Sequence, residues 1–321
     1  MLVRSQLRPA PPALTIGSML EPSIQDVREF WEAHPCGGDT ATAAERSAYF
    51  QGVEEYRYST APFIPRIARF EAFAGKRVLE IGCGIGTDGA QFARARAQYF
   101  GVDLTTAAVE LAQENFSVRG LLGEITVADA RHLPFGDAFF DHVYSFGVIH
   151  HSPTPRSIVD EIYRVLKPGG TVTVMLYNRT SINYYLEIMF LRKLGRLLLR
   201  PKSAPPLIAR VLGLPRDKLE RHQKHLLENP HPTPEQWLSM NTDGPDCPLA
   251  RVFSAAEVRE LFAGFEEITT EVHHFDRSHW PFVGRLISDR LSEALGRRFG
   301  WTRIVHAQKP TVAPVATDRL G

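Results

Sequence analysis

Glu80, Gly82, Gly84, Gly86 and Gly89 crowd into one stretch, RVLEIGCGIGTDGA at residues 77–90, directly after a short apolar run. Glycines at this spacing let backbone approach a ligand with no Cβ in the way. A helix starting near Thr87 would turn its free N–H groups toward a carboxylate. Gly84, Gly86 and Gly89 spell G-x-G-x-x-G, and Asp103 ends the next apolar run, where a dinucleotide fold keeps its ribose-binding acid. Two further acids change the reading: Glu80 precedes the first glycine, and Asp129 closes a third run. Three acids at three successive strand ends suit a cationic ligand better than a pyrophosphate. Glu80 and Asp103 can accept hydrogen bonds from an ammonium and from two hydroxyls. A nicotinamide-dependent oxidoreductase, or a turn with no ligand at all, are the alternatives on glycine spacing alone.

The elements that must hold these residues are legible from Arg77 onward. RVLEIG, QYFGVDL, EITVADA, FDHVYSFGV and GTVTVMLY read as strands, alternating with the helical stretches TDGAQFARARA, TAAVELAQENF and SIVDEIYRVLK. Such alternation indicates βαβ units on a parallel sheet, whose ligands bind at the carboxyl ends of the strands. The last of these helices is predicted to stop at KPGG, because Pro168 cannot continue it. SAAEVRELFAGF, EEITTEVHHF and WTRIVHAQKP supply a final helix and two closing strands. The expected fold is α/β: a doubly wound, mostly parallel, seven-stranded, Rossmann-like sheet with a helical N-terminal cap and a helical insertion after strand five.

Composition excludes other classes. A hydrophobic share of 44% supports a packed core, and a formal net charge of +1 over 321 residues argues against an electrostatic nucleic-acid binder. Cys36, Cys83 and Cys247 are odd in number and widely spaced, so neither a disulfide framework nor a metal cluster is expected, and a cytoplasmic setting is. Residues 1–20 and 311–321 are read as flexible tails.

Taken together, VLEIGCGIGTD, GVDLT, VADARHLPFGDAFFDHVYSFGVIHH, EIYRVLKPGGTV and MLY resemble the class I S-adenosylmethionine-dependent methyltransferases, in the branch that acts on small molecules. The resemblance covers residues 75–178. It implies S-adenosylmethionine as cofactor, with Glu80, Gly82, Cys83, Gly84 and Gly86 along its methionine moiety. By the same resemblance Asp103 and Leu104 hold the ribose, Asp129 and Ala130 recognise adenine, and Phe146 lies beside the ligand.

Methyl transfer is an in-line displacement, so alignment does much of the work and a base is needed only for a protonated nucleophile. His150, His151 and Tyr177 are the candidates at the rim of the sheet, and loop-shaping is the alternative role for each. Residues 21–74 form an aromatic cap, with Phe30, Trp31, His34, Tyr49, Phe50, Tyr56, Tyr58 and Phe63. Tyr49 and Tyr58 are the expected cofactor contacts there, since aromatic faces stabilise a sulfonium.

Residues 179–252 form the insertion, read as a lid or substrate domain, with 253–310 returning to the core. Its leucines interleave with Arg192, Lys193, Arg196 and Arg200. The outer face of a lid is the favoured reading, then a homodimer contact, then a membrane surface. Asp243, Asp246 and Arg251 either orient substrate or tie down their loop. Methyl transfer to a small-molecule acceptor is the expected activity. The alternatives are intramolecular cyclisation of the cofactor with release of methylthioadenosine, and a non-catalytic cofactor-binding protein.

Overall fold

The computed structural model describes residues 22–34, 46–201, 203–212, 215–275, 277, 280 and 284–311. Cys36 and the expected tails, apart from Thr311, lie outside the described residues. Seven strands form one sheet: β1 (Arg77–Ile81), β2 (Gln98–Asp103), β3 (Glu124–Val127), β4 (Phe140–Phe146), β5 (Leu166–Tyr177), β6 (Glu266–His273) and β7 (Thr302–Gln308). Their order is β3-β2-β1-β4-β5-β7-β6, and β7 runs antiparallel to both β5 and β6 while the other pairs are parallel. The strand order therefore reverses between β1 and β4, and the crevice that opens at such a switch is where sheets of this kind hold ligands.

Near-continuous apolar strands require both faces covered. One face carries Leu79, Ile81, Val143 and Val174 against Ile158, Val159, Ile162 and Val165 of α6 (Pro155–Val165). Those four positions lie on one side of a helix of 3.6 residues per turn, and each buried side chain contributes about 1.5–3 kcal/mol. The other face packs Val78, Tyr99 and Tyr144 against Ala90 and Phe92 of α4 (Thr87–Arg94) and Val109, Ala112 and Phe116 of α5 (Thr106–Val118).

The end of α6 corrects the expectation. The helix stops at Val165, and Lys167–Gly170 lie inside β5, with Gly169 at φ 74°. Lys167 is pushed to extended backbone by the proline after it. The extra residues are absorbed by a register shift opposite Phe140 and His142.

Two segments flank the sheet. The cap comprises α1 (Ile24–Ala33), α2 (Arg46–Thr60) and α3 (Ile64–Ala68). Glu32 of α1 accepts from Thr106 N at 2.9 Å and Ala107 N at 3.0 Å, supplying from a distant segment the carboxylate that caps α5. Glu54 of α2 pairs with Arg94 at 2.8 Å and Arg119 at 2.5 Å, tying the cap to α4 and to the end of α5. The insertion leaves the core at Asn178 and returns at Phe253, which bridge each other. Phe253 N donates to Tyr177 O at 2.8 Å and Arg179 N to Phe253 O at 3.0 Å. It carries helices Asn183–Arg192, Ala204–Leu212, Arg216–Glu228 and Pro234–Met240. Among the described residues no helix is long and apolar enough to cross a membrane.

Candidate active site

A cavity of about 410 Å3 opens at the carboxyl ends of β1, β2 and β4, within the range typical of small-molecule sites. Its floor is the glycine turn. Gly82 N and Cys83 N donate to Val102 O at 2.7 and 3.0 Å, which draws the chain across to β2. Gly82 and Gly84 hold φ 71° and 53°, in the left-handed region that glycine tolerates without strain. A Cβ on Gly82 would lie 2.1 Å from Val148 Cγ2, whereas one on Gly84 would meet nothing within 4 Å and would project into open space. Gly89, the last glycine of the motif, serves packing: a Cβ there would fall 2.3 Å from the Tyr99 hydroxyl.

Asp103 organises the turn. Its carboxylate accepts from Gly84 N at 3.0 Å, Thr105 N at 3.0 Å and Thr105 Oγ1 at 2.8 Å. Burial still holds its pKa above the usual aspartate value, against the pull of those donors. Glu80 is buried, and the Tyr99 hydroxyl donates to it at 2.6 Å. Burial and the neighbouring Asp88 carboxylate push Glu80 well above the usual range. A cation arriving beside Glu80 would reverse that shift, so the donor set fits a ligand carrying an ammonium. Asp129 lines the cavity with Ala130 but is paired with Arg131, whose Nη2 lies 2.7 Å away. Burial raises its pKa, and the Arg131 bonds outweigh that, leaving it below the ordinary value.

Of the residues singled out in the sequence, Glu80, Gly82, Cys83, Gly84, Asp103, Leu104, Asp129, Ala130, Phe146 and His151 line this one cavity. Gly86 lies behind it, facing Ala112 and Phe116 of α5. Tyr49 packs with Phe50 and Ile85, and Tyr58 donates to Asp88 at 3.0 Å, so neither lines the cavity. Tyr56 and Trp31 from the same cap do.

Sequence reasoning missed a buried ionic knot at the cavity wall. Arg57 of α2 donates from Nε to Asp88 Oδ1 at 2.7 Å and from Nη2 to Asp88 Oδ2 at 2.5 Å. The Tyr144 hydroxyl adds a bond of 2.9 Å to Asp88, and the guanidinium sits 4.8 Å from the Phe146 ring centroid. Burial works against the charge on Arg57, and Asp88 overrides it, so the pKa is raised. The one sequence signal was an acid in the first turn of α4 amid the glycines, a position that favours negative charge.

The opposite pole gathers three side chains. His151 Nδ1 lies 2.6 Å from Leu249 O, so this nitrogen carries the proton and Nε2 is the basic one in the neutral ring. Nε2 is 3.5 Å from Asp243 Oδ2, and the Tyr177 hydroxyl donates to the same carboxylate at 2.8 Å. His150 is wholly buried, its ring 3.7 Å from that of Tyr177, and lies outside the cavity lining. Burial and the adjacent His151 hold it well below the ordinary histidine pKa. Cys247 is a fourth side chain at this pole, its sulfur, a His151 ring nitrogen and an Asp243 carboxylate oxygen all lying within 4.8 Å of one another. Burial, then Asp243, pushes the thiol pKa up. Asp246 goes elsewhere, pairing with His225 at 2.7 Å. Arg251 N donates to His150 O at 3.0 Å.

Comparison with known proteins fits this geometry. Residues 79–174 match the family described as methyltransferase domain. Methyltransferase GfsG of Streptomyces halstedii is 33% identical over 109 residues, 33% of this chain and 39% of that protein. The ubiquinone biosynthesis O-methyltransferase of Haemophilus ducreyi is 33% identical over 120 residues, 36% of this chain and 51% of the relative. The chain thus spans about half the length, or less, of these curated relatives. Among solved structures, magnesium protoporphyrin IX methyltransferase from Synechocystis PCC 6803, with bound SAH, superposes with a TM-score of 0.52 at 16% identity. That match covers 89% of this chain and 100% of the other, and it bears on the fold.

Proposed function

From the match of residues 79–174 to a methyltransferase domain, we propose that the chain is a class I S-adenosylmethionine-dependent methyltransferase and transfers a methyl group to a hydroxyl of a small, largely apolar molecule. The carrying observation is the single cavity that joins the Asp103–glycine floor to His151. The cofactor, when bound, supplies an electrophilic methyl group on a sulfonium. Gly84 leaves room for its aminoacyl portion, Gly82 lets Val148 close in beside the turn, Glu80 faces the ammonium, Asp103 holds the ribose hydroxyls, and Asp129 with Ala130 meets the adenine. Phe146 and Gly147 border it, and the Arg57–Asp88 knot stiffens that wall.

The acceptor fits the end of the cavity bounded by Trp31 and His151. His151 takes the acceptor proton at Nε2, and Asp243 beside it stabilises the imidazolium that forms. Tyr177 orients Asp243. His150 acts as packing beneath Tyr177. The names of relatives such as an O-methyltransferase of ubiquinone biosynthesis support an oxygen acceptor with apolar character. The insertion approaches the site through Asp243, and we read it as the acceptor-side domain. A thermal-shift comparison tests the assignment: S-adenosylhomocysteine should raise the melting temperature while NAD leaves it unchanged. Stabilisation by NAD and none by S-adenosylhomocysteine would contradict it.

A further inference from the structure

The insertion helix Asn183–Arg192, continued by Lys193–Gly195, has apolar residues on both its inner and its outer side. Its inner side buries Ile188 beside polar groups: Glu187 is buried and paired with Arg192, Asn183 Nδ2 donates to Glu187 at 2.8 Å, and Arg192 Nη1 donates to Asn241 O at 2.8 Å. Its outer side repeats apolar residues every four positions, with Leu186, Phe190, Leu194 and Leu198 exposed. Phe190 is 60% exposed, Leu194 58% and Leu198 68%, and Tyr185, Leu191 and Leu197 widen the patch. The next helix adds Leu207 at 64% and Val211 at 67%. A water-facing helix is normally polar outward, and monomeric proteins rarely expose contiguous apolar patches of this kind.

Charge selects the occupant. Residues 193–211 carry Lys193, Arg196, Arg200, Lys202 and Arg210 and no acid. A second copy would bring Lys193, Arg196 and Arg200 face to face with their own counterparts. Leucine and phenylalanine set among cations, with a tyrosine at the border, fit the interface of an anionic bilayer, where apolar side chains enter the acyl boundary and Lys and Arg reach headgroup phosphates. We propose that the outer face of residues 185–198, with Leu207 and Val211, docks the protein on an anionic lipid surface. The same helix turns Ile188 inward to the cluster that contains Tyr177 and Trp237. Docking would therefore seat the membrane on the acceptor side of the site.

The test is flotation of the full chain with vesicles of phosphatidylcholine plus phosphatidylglycerol, against phosphatidylcholine alone. The protein is expected to float with the anionic vesicles and to be released by high salt. Leu194→Glu with Leu198→Glu should lower partitioning at least about tenfold. Lys193→Gln with Arg196→Gln should lower it roughly fivefold per cation removed. All these positions are outside the cavity, so thermal stabilisation by S-adenosylhomocysteine is expected to persist in every variant, and this separates a docking defect from misfolding or loss of the cofactor site. No flotation with anionic vesicles, or equal flotation with neutral ones, would overturn the proposal. So would a dimer in sedimentation velocity that the double glutamate variant dissolves, because a second copy would then cover the face.

Discussion

Arg57 clamps Asp88 through two nitrogens, at 2.7 and 2.5 Å, joining the N-terminal cap to the first turn of the helix that follows the glycine loop. Asp88 is 2% exposed, and Arg57 supplies the cation that balances its buried charge, beside the hydroxyls of Tyr58 and Tyr144. Arg57→Ala should therefore destabilise the protein by about 3 kcal/mol, the lower end of the cost of breaking a buried ion pair, because the two hydroxyls remain. Arg57→Met combined with Asp88→Asn should recover most of that loss. Urea denaturation of the three proteins checks it, and equal losses in the single and double variants would contradict the account.

Replacing Asp103 by Ala removes a carboxylate that lines the cavity and accepts from Gly84 N. Affinity for S-adenosylhomocysteine should fall by about 2–3 kcal/mol, the scale of charge-assisted hydrogen bonds in a buried site. Calorimetry measures this directly. Unchanged affinity would move the ribose away from Asp103.

At the other pole, His151→Ala and Asp243→Asn should each lower kcat, with the histidine change costing about 100- to 10,000-fold. Neither should alter the affinity for S-adenosylhomocysteine by more than a small factor. His150→Phe, which keeps a ring against Tyr177, should leave kcat near that of the parent. A loss of kcat in the phenylalanine variant equal to that of His151→Ala would reassign the proton acceptor.

The buried His142 gives a pH dependence with a definite sign. Burial, and then the charge of His306, lowers its pKa to about 3, while its Nδ1 lies 2.8 Å from Thr171 Oγ1. The folded state keeps the ring neutral while the unfolded chain protonates it near its ordinary pKa. Stability from this site is thus complete above about pH 6.5 and falls by roughly 1.4 kcal/mol per unit as pH drops toward 3. His142→Gln should flatten that part of the profile in denaturant titrations between neutral and acid pH. An unchanged slope would show that His142 does not carry it.

These residues also show what the sequence could disclose. Glu80, Gly82, Gly84 and Asp103 were legible because each sits at a strand end, and strand ends follow from local apolar periodicity and turn chemistry. All four line the cavity. Arg57 and Asp88 were not, since they stand 31 residues apart and nothing local marks their pairing. Glu32 is 74 residues from the amide it caps. Asp243 reaches Tyr177 across 66 residues, so its loop could be singled out but its partners could not. The insertion was legible only as leucines interleaved with cations; the pairing of the buried Glu187 with Arg192, which turns one side of the helix inward, carries no local signal.

The central claim is that the cavity delivers a methyl group to an external small molecule. It is tested most directly by incubating the full chain with methyl-labelled S-adenosylmethionine and a fractionated extract of small molecules, then resolving the products by mass spectrometry. The account predicts label in an acceptor molecule, S-adenosylhomocysteine in equal amount, and neither product when the extract is omitted. Methylthioadenosine forming from the cofactor alone, faster than with boiled protein and with no label passed on, would contradict it.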